Sequence, residues 1–234
     1  MSNYPLQYKA FSNNAVLIEW PQKIEENILR DIQAFQAAIN NNLNKFVIEC
    51  IPAYASLTVL FKSISFNNLC DQLKAIYENV LVTASYQNNC WQLPVCYHPS
   101  LGFDLENYSI AIGLSIEEII QIHTQTIYTV YFIGFLPGFL YLGNLEERLF
   151  LNRKSKPLLK VPKGSVGIGG QQTGIYPQSS PGGWHIVGNC PIQLFNVNEN
   201  PPAVFKAGDK VEFYNISLKD YSKNNFKLIK TPYA

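Results

Sequence analysis

Residues 162–188, PKGSVGIGGQQTGIYPQSSPGGWHIVG, hold eight of the chain's fourteen glycines, and none of the fourteen precedes Gly102. Glycine clustered in this way has two physical uses. It lets backbone N–H groups come close to a ligand, or it builds tight turns and bulges into a β structure. A Walker-type phosphate loop needs a Gly-Lys-Ser/Thr step followed by a helix. GSVGIGGQQTG (164–174) has neither the lysine nor a helix-forming continuation, because Pro177, Pro181 and further glycines follow. The G-x-G-x-x-G dinucleotide fingerprint is also absent. Two readings stay open: turns and bulges of a β barrel, or a backbone surface facing a ligand. Ser165, Gln171, Gln172, Thr173 and Tyr176 would be the hydrogen-bonding groups of the second, and they suit an amide, a lactam or a carboxylate better than a metal.

Outward from this segment the β pattern continues. From IYTVYFIGF (127–135) onward, short apolar runs are broken by Gly and Pro about every eight to twelve residues, as in closed or sandwiched β structures. PIQLFN (191–196) and KVEFYNI (210–216) read as further strands. DLENYSIAIG (104–113) fits a short helix stopped by Gly113, and Ser115–Glu118 has capping-box spacing for a helix to about His123. The half before Gly102 follows different rules. AVLIEW (15–20) suits a strand, and Ile24, Ile28, Ile32, Phe35 and Ile39 recur at helical spacing. KFVIECIPAYASLTVLF (45–61) reads as two strands and a turn. Ser65 is an N-cap for a helix whose inner face is Leu69, Leu73, Ile76 and Val80. WQLPVCY (91–97) is either a closing strand or the first strand of the next unit. The order β-α-β-β-α points to a split βαβ layer with two helices on one face.

A chain of 234 residues, 47% hydrophobic and 15% charged, with net charge +1, is an ordinary globular protein without bulk attraction to nucleic acid or acidic membranes. No signal peptide or membrane span is visible, and five cysteines without a CxxC pair read as reduced packing residues of a cytoplasmic protein. Between Arg148 and Asn198 lie six cations (Arg148, Arg153, Lys154, Lys156, Lys160, Lys163) and no Asp or Glu. That excludes a carboxylate pair or carboxylate-rich metal site from this stretch and favours an anionic ligand or an acidic partner face. The three histidines have no zinc spacing, so no metal site is expected. His123, near a helix end, serves either to bond the last carbonyls or as a base beside Thr124 and Tyr128.

IPAYASLTVLF (51–61), IHTQTIYTVYFIGFLPGFLYLGNLEERL (122–149), VPKGSVGIGGQQTGIYP (161–177), SPGGWHIVG (180–188) and PPAVFKAGDKVEF (201–213), in this order, resemble the family of 5-oxoprolinase B subunits. That family is also called the KipI or allophanate hydrolase subunit 1 family, and it is related to half of the carboxyltransferase domain of urea carboxylase (its subdomains C and D). The resemblance implies an α+β protein. A small split-βαβ, ferredoxin-like domain would span 1–89 and a cyclophilin-like β barrel 90–234. It implies ATP-dependent opening of 5-oxo-L-proline to L-glutamate together with the C and A subunits. ATP, with Mg, would be a co-substrate of the complex, with no cofactor bound to the isolated chain and no activity from it alone. The alternative it carries is a KipI-like inhibitor that binds a sensor histidine kinase. By the same analogy one cleft gathers His123, Gln172 and Thr173 as catalytic groups. Tyr128, Pro137, Gly138, Ser165, Gly170, Tyr176 and Trp184 would bind substrate there, and Arg153, Lys160 and Lys163 would bind anions. The sequence departs from the family pattern at Ser100, Leu101, Gln171, Lys160 and Asn189. The last two replace common arginines, which changes anion geometry.

Overall fold

The computed structural model describes residues 4–80 and 88–233. The chain divides into two compact units, Met1–Tyr86 and Gln87–Ala234.

In the first unit β1 (Gln7–Ser12) and β2 (Ala15–Glu19) form a hairpin followed by α1 (Glu26–Asn42). A second hairpin, β3 (Val47–Pro52) and β4 (Ser56–Phe61), leads to α2 (Phe66–Tyr77). The sheet order is β1-β2-β4-β3, with every neighbour antiparallel. From β2 to α2 this is the split βαβ arrangement read from the sequence. The unread strand is β1, which occupies the edge beside β2. Five of its six residues are exposed, so it carries no apolar alternation to betray it. In β4, Leu57, Val59 and Phe61 are buried while Ser56, Thr58 and Leu60 between them are half-buried. Ile28, Ile32, Phe35 and Ile39 of α1 and Leu69 and Leu73 of α2 complete the same core, and Ile24 precedes α1. Ser65 caps α2 by accepting from the Asn68 N–H. Asp31 lies on the buried face of α1, where its Oδ2 accepts from Trp20 Nε1 (2.7 Å) and the Tyr77 hydroxyl (2.6 Å).

The second unit opens with β5 (Asn88–Val95), α3 (Leu105–Ile112) and α4 (Ile116–Gln125). The strands β6 (Ile127–Ile133), β7 (Leu140–Gly143), β8 (Leu158–Val161), β9 (Ser165–Gly169), β10 (Gln172–Ile175), β11 (Ser180–Gly182) and β12 (His185–Asn189) follow. It ends with β13 (Lys210–Asn215), α5 (Leu218–Lys223) and β14 (Ile229–Tyr233). Eight strands form one sheet in the order β12-β9-β10-β7-β6-β13-β5-β14, and β8 pairs with β11 separately. The sheet curls until Cys96, just past β5, exchanges backbone hydrogen bonds of 2.9 and 3.0 Å with Asn189 of β12. The barrel is therefore met at a single bridge and is not sealed by a ladder. Both predicted helix signals hold: Gly113 ends α3 at φ 71°, and Ser115 with Glu118 forms a capping box on α4.

One open alternative is decided and two expectations change. WQLPVCY belongs to the second unit, because β5 runs parallel to β13. Asn88 and Asn89 already pair with Tyr233 and Pro232, so the division falls ahead of β5, not inside it at 89/90. PIQLFN forms no strand. Pro191 has no N–H to give to a ladder, and Ile192 and Leu194 fill the core from irregular backbone. No described helix is long and apolar enough to cross a membrane.

Candidate functional site

Side chains alternate across β9 and β10. Val166, Ile168 and Ile175 join the barrel core on one side. On the other side the residues are mostly glycine, and the reason is Trp184. A Cβ on Gly169 would stand 2.6 Å from Trp184 Cδ1, and one on Gly167 3.1 Å from Trp184 Cβ. At Gly174 it would stand 2.5 Å from the Leu140 carbonyl oxygen and 3.0 Å from the indole. At Gly169 and Gly174 these approaches are closer than a side chain permits, and at Gly167 the neighbour would have to give way by a few tenths of an ångström. The glycine-rich segment is thus a flat bed on which the indole of Trp184 lies, itself almost wholly buried.

Around Trp184 the aromatic rings pack edge to face: Phe139 at 5.5 Å and 81°, Tyr141 at 5.8 Å and 76°. Phe139 meets Tyr176 at 5.1 Å and 89°. They border an open groove of about 320 Å³, whose remaining wall is Phe135, Pro157, Pro181, Arg153, Lys154 and the backbone of Gly182–Gly183. Burial pushes the Tyr176 phenol up to about 12, so it borders the groove as a neutral hydroxyl. The two cations of the wall differ. Lys154 Nζ is 2.6 Å from Asp104 Oδ1, and both side chains are mostly buried. Asp104 Oδ2 also accepts from the Ile186 N–H (2.7 Å), and the Lys154 N–H donates to the Gly183 carbonyl (2.8 Å). Lys154 and Asp104 thereby clamp the wall to β12. Arg153 is exposed, with its guanidinium 5.6 Å from the Trp184 ring centre.

On the inner side of the same strands lies His123, with no exposed surface. Its Nε2 is 3.0 Å from Thr173 Oγ1 and its Nδ1 2.7 Å from the Tyr97 hydroxyl. Thr173 gives its only proton to the Gly167 carbonyl (3.1 Å), so it can only accept from the ring. The network therefore assigns the proton to Nε2, and Tyr97 donates to Nδ1. Phe213 stacks on the imidazole at 4.8 Å and 5°, and the Tyr128 hydroxyl donates to the His123 carbonyl (3.0 Å). Burial lowers the imidazole from its ordinary 6.5 to about 3. His123 is a neutral ring that ties α4 to β10 and touches only protein.

The single cleft expected from the resemblance is therefore two places on opposite faces. His123, Thr173 and Tyr128 lie within the barrel, while Tyr176, Trp184 and Arg153 border the outer groove. Pro137 is exposed on the β6–β7 connection, and Gly138 beside it serves the turn, at φ 81° and pressed on Phe195. Gly170, at φ 67°, makes the β9–β10 turn. Ser165 Oγ and Gln172 Oε1 are buried without a hydrogen-bond partner. Lys160 and Lys163 are exposed but do not line the groove. Asn189 turns to its own chain: it donates to the Lys163 carbonyl and accepts from the Tyr221 hydroxyl, both at 2.9 Å. Ser100 is exposed, with its hydroxyl 2.8 Å from His98 Nδ1.

The sequence profile of the carboxyltransferase domain, subdomain C and D, matches residues 6–205. The chain belongs to that family. A member from Bacillus subtilis (strain 168), named as the B subunit of 5-oxoprolinase, is 39% identical over 92% of this chain and 95% of its own. The solved chain TTHA0988 is 29% identical and superposes with a TM-score of 0.74 over 87% of this chain. This chain spans 40% of TTHA0988, and thus well under half of that longer protein. Kluyveromyces lactis urea carboxylase, 18% identical, shares the fold over the whole chain and 24% of its own length, with a TM-score of 0.84.

Within this carboxyltransferase-type unit, the reading of residues missed Phe139, Tyr141, Tyr97 and the Asp104–Lys154 pair. PGFLYLG (137–143) shows only an apolar run in sequence. Its alternation, Leu140 and Leu142 inward and Phe139 and Tyr141 outward, was a usable signal. The Asp104–Lys154 and Tyr97–His123 partnerships join residues too distant in sequence to be paired by spacing.

Proposed function

We propose that this chain is the B subunit of a 5-oxoprolinase, a hydrolase assembled from several subunits that opens 5-oxo-L-proline to L-glutamate with the hydrolysis of ATP. The observation that carries the reading is the 39% identity to the Bacillus subtilis 5-oxoprolinase B subunit over nearly the full length of both chains. The groove supports it. Its aromatic lining, with Phe135 exposed and Tyr141 half-buried, suits a flat lactam ring, and the Gly182–Gly183 backbone offers polar partners for its amide.

Ring opening adds water across the amide: the carbonyl carbon gains a hydroxyl and the ring nitrogen gains a proton. A lactam is a poor electrophile, and ATP turnover by the complex supplies the driving force. This chain's residues bind and orient the ring, and Tyr176, neutral near pH 7, can hold a proton at its phenol oxygen. His123 acts through Thr173 as a positioning residue that fixes β10 beneath the groove. The C and A subunits complete the assembly, with Mg accompanying ATP and the cytoplasm as the compartment. Combining the purified chain with those subunits, 5-oxo-L-proline and MgATP should release glutamate and ADP together. The chain alone should release none. Glutamate release that does not depend on this chain would contradict the assignment.

A further inference from the structure

Of the two cations on the groove wall, only one is already neutralised. Lys154 is paired with Asp104 at 2.6 Å. Arg153 lies on the Trp184 ring, and among the described residues no carboxylate comes within 4.0 Å of it. No Asp or Glu occurs between Arg148 and Asn198, so the segment that builds the groove supplies no internal counter-ion. Arg153 is exposed, and a guanidinium fork without an internal partner matches a carboxylate in two parallel hydrogen bonds. Lysine at the same place would be a point charge without that fork.

We propose that Arg153 is the specificity-determining residue of the groove. It binds the carboxylate of a small cyclic amide acid while the ring lies against the aromatic wall. Lys154 has the opposite role: held by Asp104, it fixes the wall and takes no part in ligand charge. The inference rests on the groove being the lactam site. It adds the claim that a carboxylate on the ring, and not the ring alone, is what the site selects.

The test compares 5-oxo-L-proline with 2-pyrrolidinone, the same ring without its carboxylate, in the assembled complex. Arg153→Gln should raise KM for 5-oxo-L-proline about 10- to 100-fold, the range for loss of charge-assisted hydrogen bonds. The Ki of 2-pyrrolidinone should stay within about twofold, so the preference for the acid collapses. Arg153→Lys should restore part of the loss. A KM unchanged in Arg153→Gln would overturn the anchor while leaving the enzyme reading intact. A KM and a Ki that rise together would also overturn it, because Arg153 would then only be packing on Trp184. A wild-type complex without ATP-dependent glutamate release would remove the enzyme reading and the anchor with it.

Discussion

The two faces of β9–β10 are built from one short stretch of chain and carry opposite chemistry. Inside, a histidine sits between two hydroxyls and against Phe213, closed to solvent and neutral. Outside, glycines carry an indole whose free neighbour is an exposed arginine. In sequence the inner set looks like catalysis, and the outer set like either turns or a substrate- and anion-binding surface. Burial reverses that. A base with both ring nitrogens engaged and a lowered pKa has little to offer a substrate, whereas an aromatic groove with an uncompensated cation can bind one.

The comparison can be broken from the outer side first. Trp184→Ala removes the largest side chain of the outer layer and should cost about 3–5 kcal/mol in urea unfolding. A cost under about 1 kcal/mol would mean the glycine bed does not support the layer. Gly174→Ala should come next, at about 1–3 kcal/mol, because its new methyl meets the Leu140 carbonyl as well as the ring. Gly170→Ala serves as its partner: a methyl there meets nothing within 4 Å, and its only cost is the φ of 67°. The Gly174 variant should also shift Trp184 fluorescence, and the Gly170 variant should not.

The inner face is sharpened by pH. His123 titrates at about 3 in the folded chain and near 6.5 when unfolded. Between those values the unfolded state binds the extra proton, so this group's contribution is full above pH 6.5 and is lost as pH falls toward 3. At pH 5.5 the loss is about 1.4 kcal/mol relative to pH 7.5. Stability curves of wild type and His123→Gln should therefore converge by that amount between these pH values. Parallel curves would show that the ring is not buried neutral. Asp104→Asn should have the smallest effect on stability, about 1 kcal/mol, since it keeps an acceptor for the Ile186 N–H and weakens only the tie to Lys154.

Much of the architecture was legible because it rests on local patterns. Ser65, Ser115 and Gly113 mark helix ends by their own chemistry, and β4 shows its buried face by alternation. β1 stayed hidden because an exposed edge strand has no such alternation, and PIQLFN misled because burial of Ile192 and Leu194 does not require a ladder. Asp31 on an apolar helix face gave no sign of its two donors, since Trp20 and Tyr77 approach from other elements. The site was half legible. The glycines marked the right segment, but which side they serve depends on the register of β9 against β10 and β12, and on Trp184 folding back over them. His123 was visible as a residue; its burial was not.

The central claim is that ligand meets the outer face. Only three tryptophans exist, and two of them, Trp20 and Trp91, give their indole N–H to buried Asp31 and Asp209. With 5-fluorotryptophan incorporated into this chain alone, the assembled complex should give three fluorine resonances. Titration with 5-oxo-L-proline should move the Trp184 resonance, assigned by Trp184→Phe, and leave the other two in place. A Trp184 resonance that stays fixed while the complex turns over the same substrate would contradict the account.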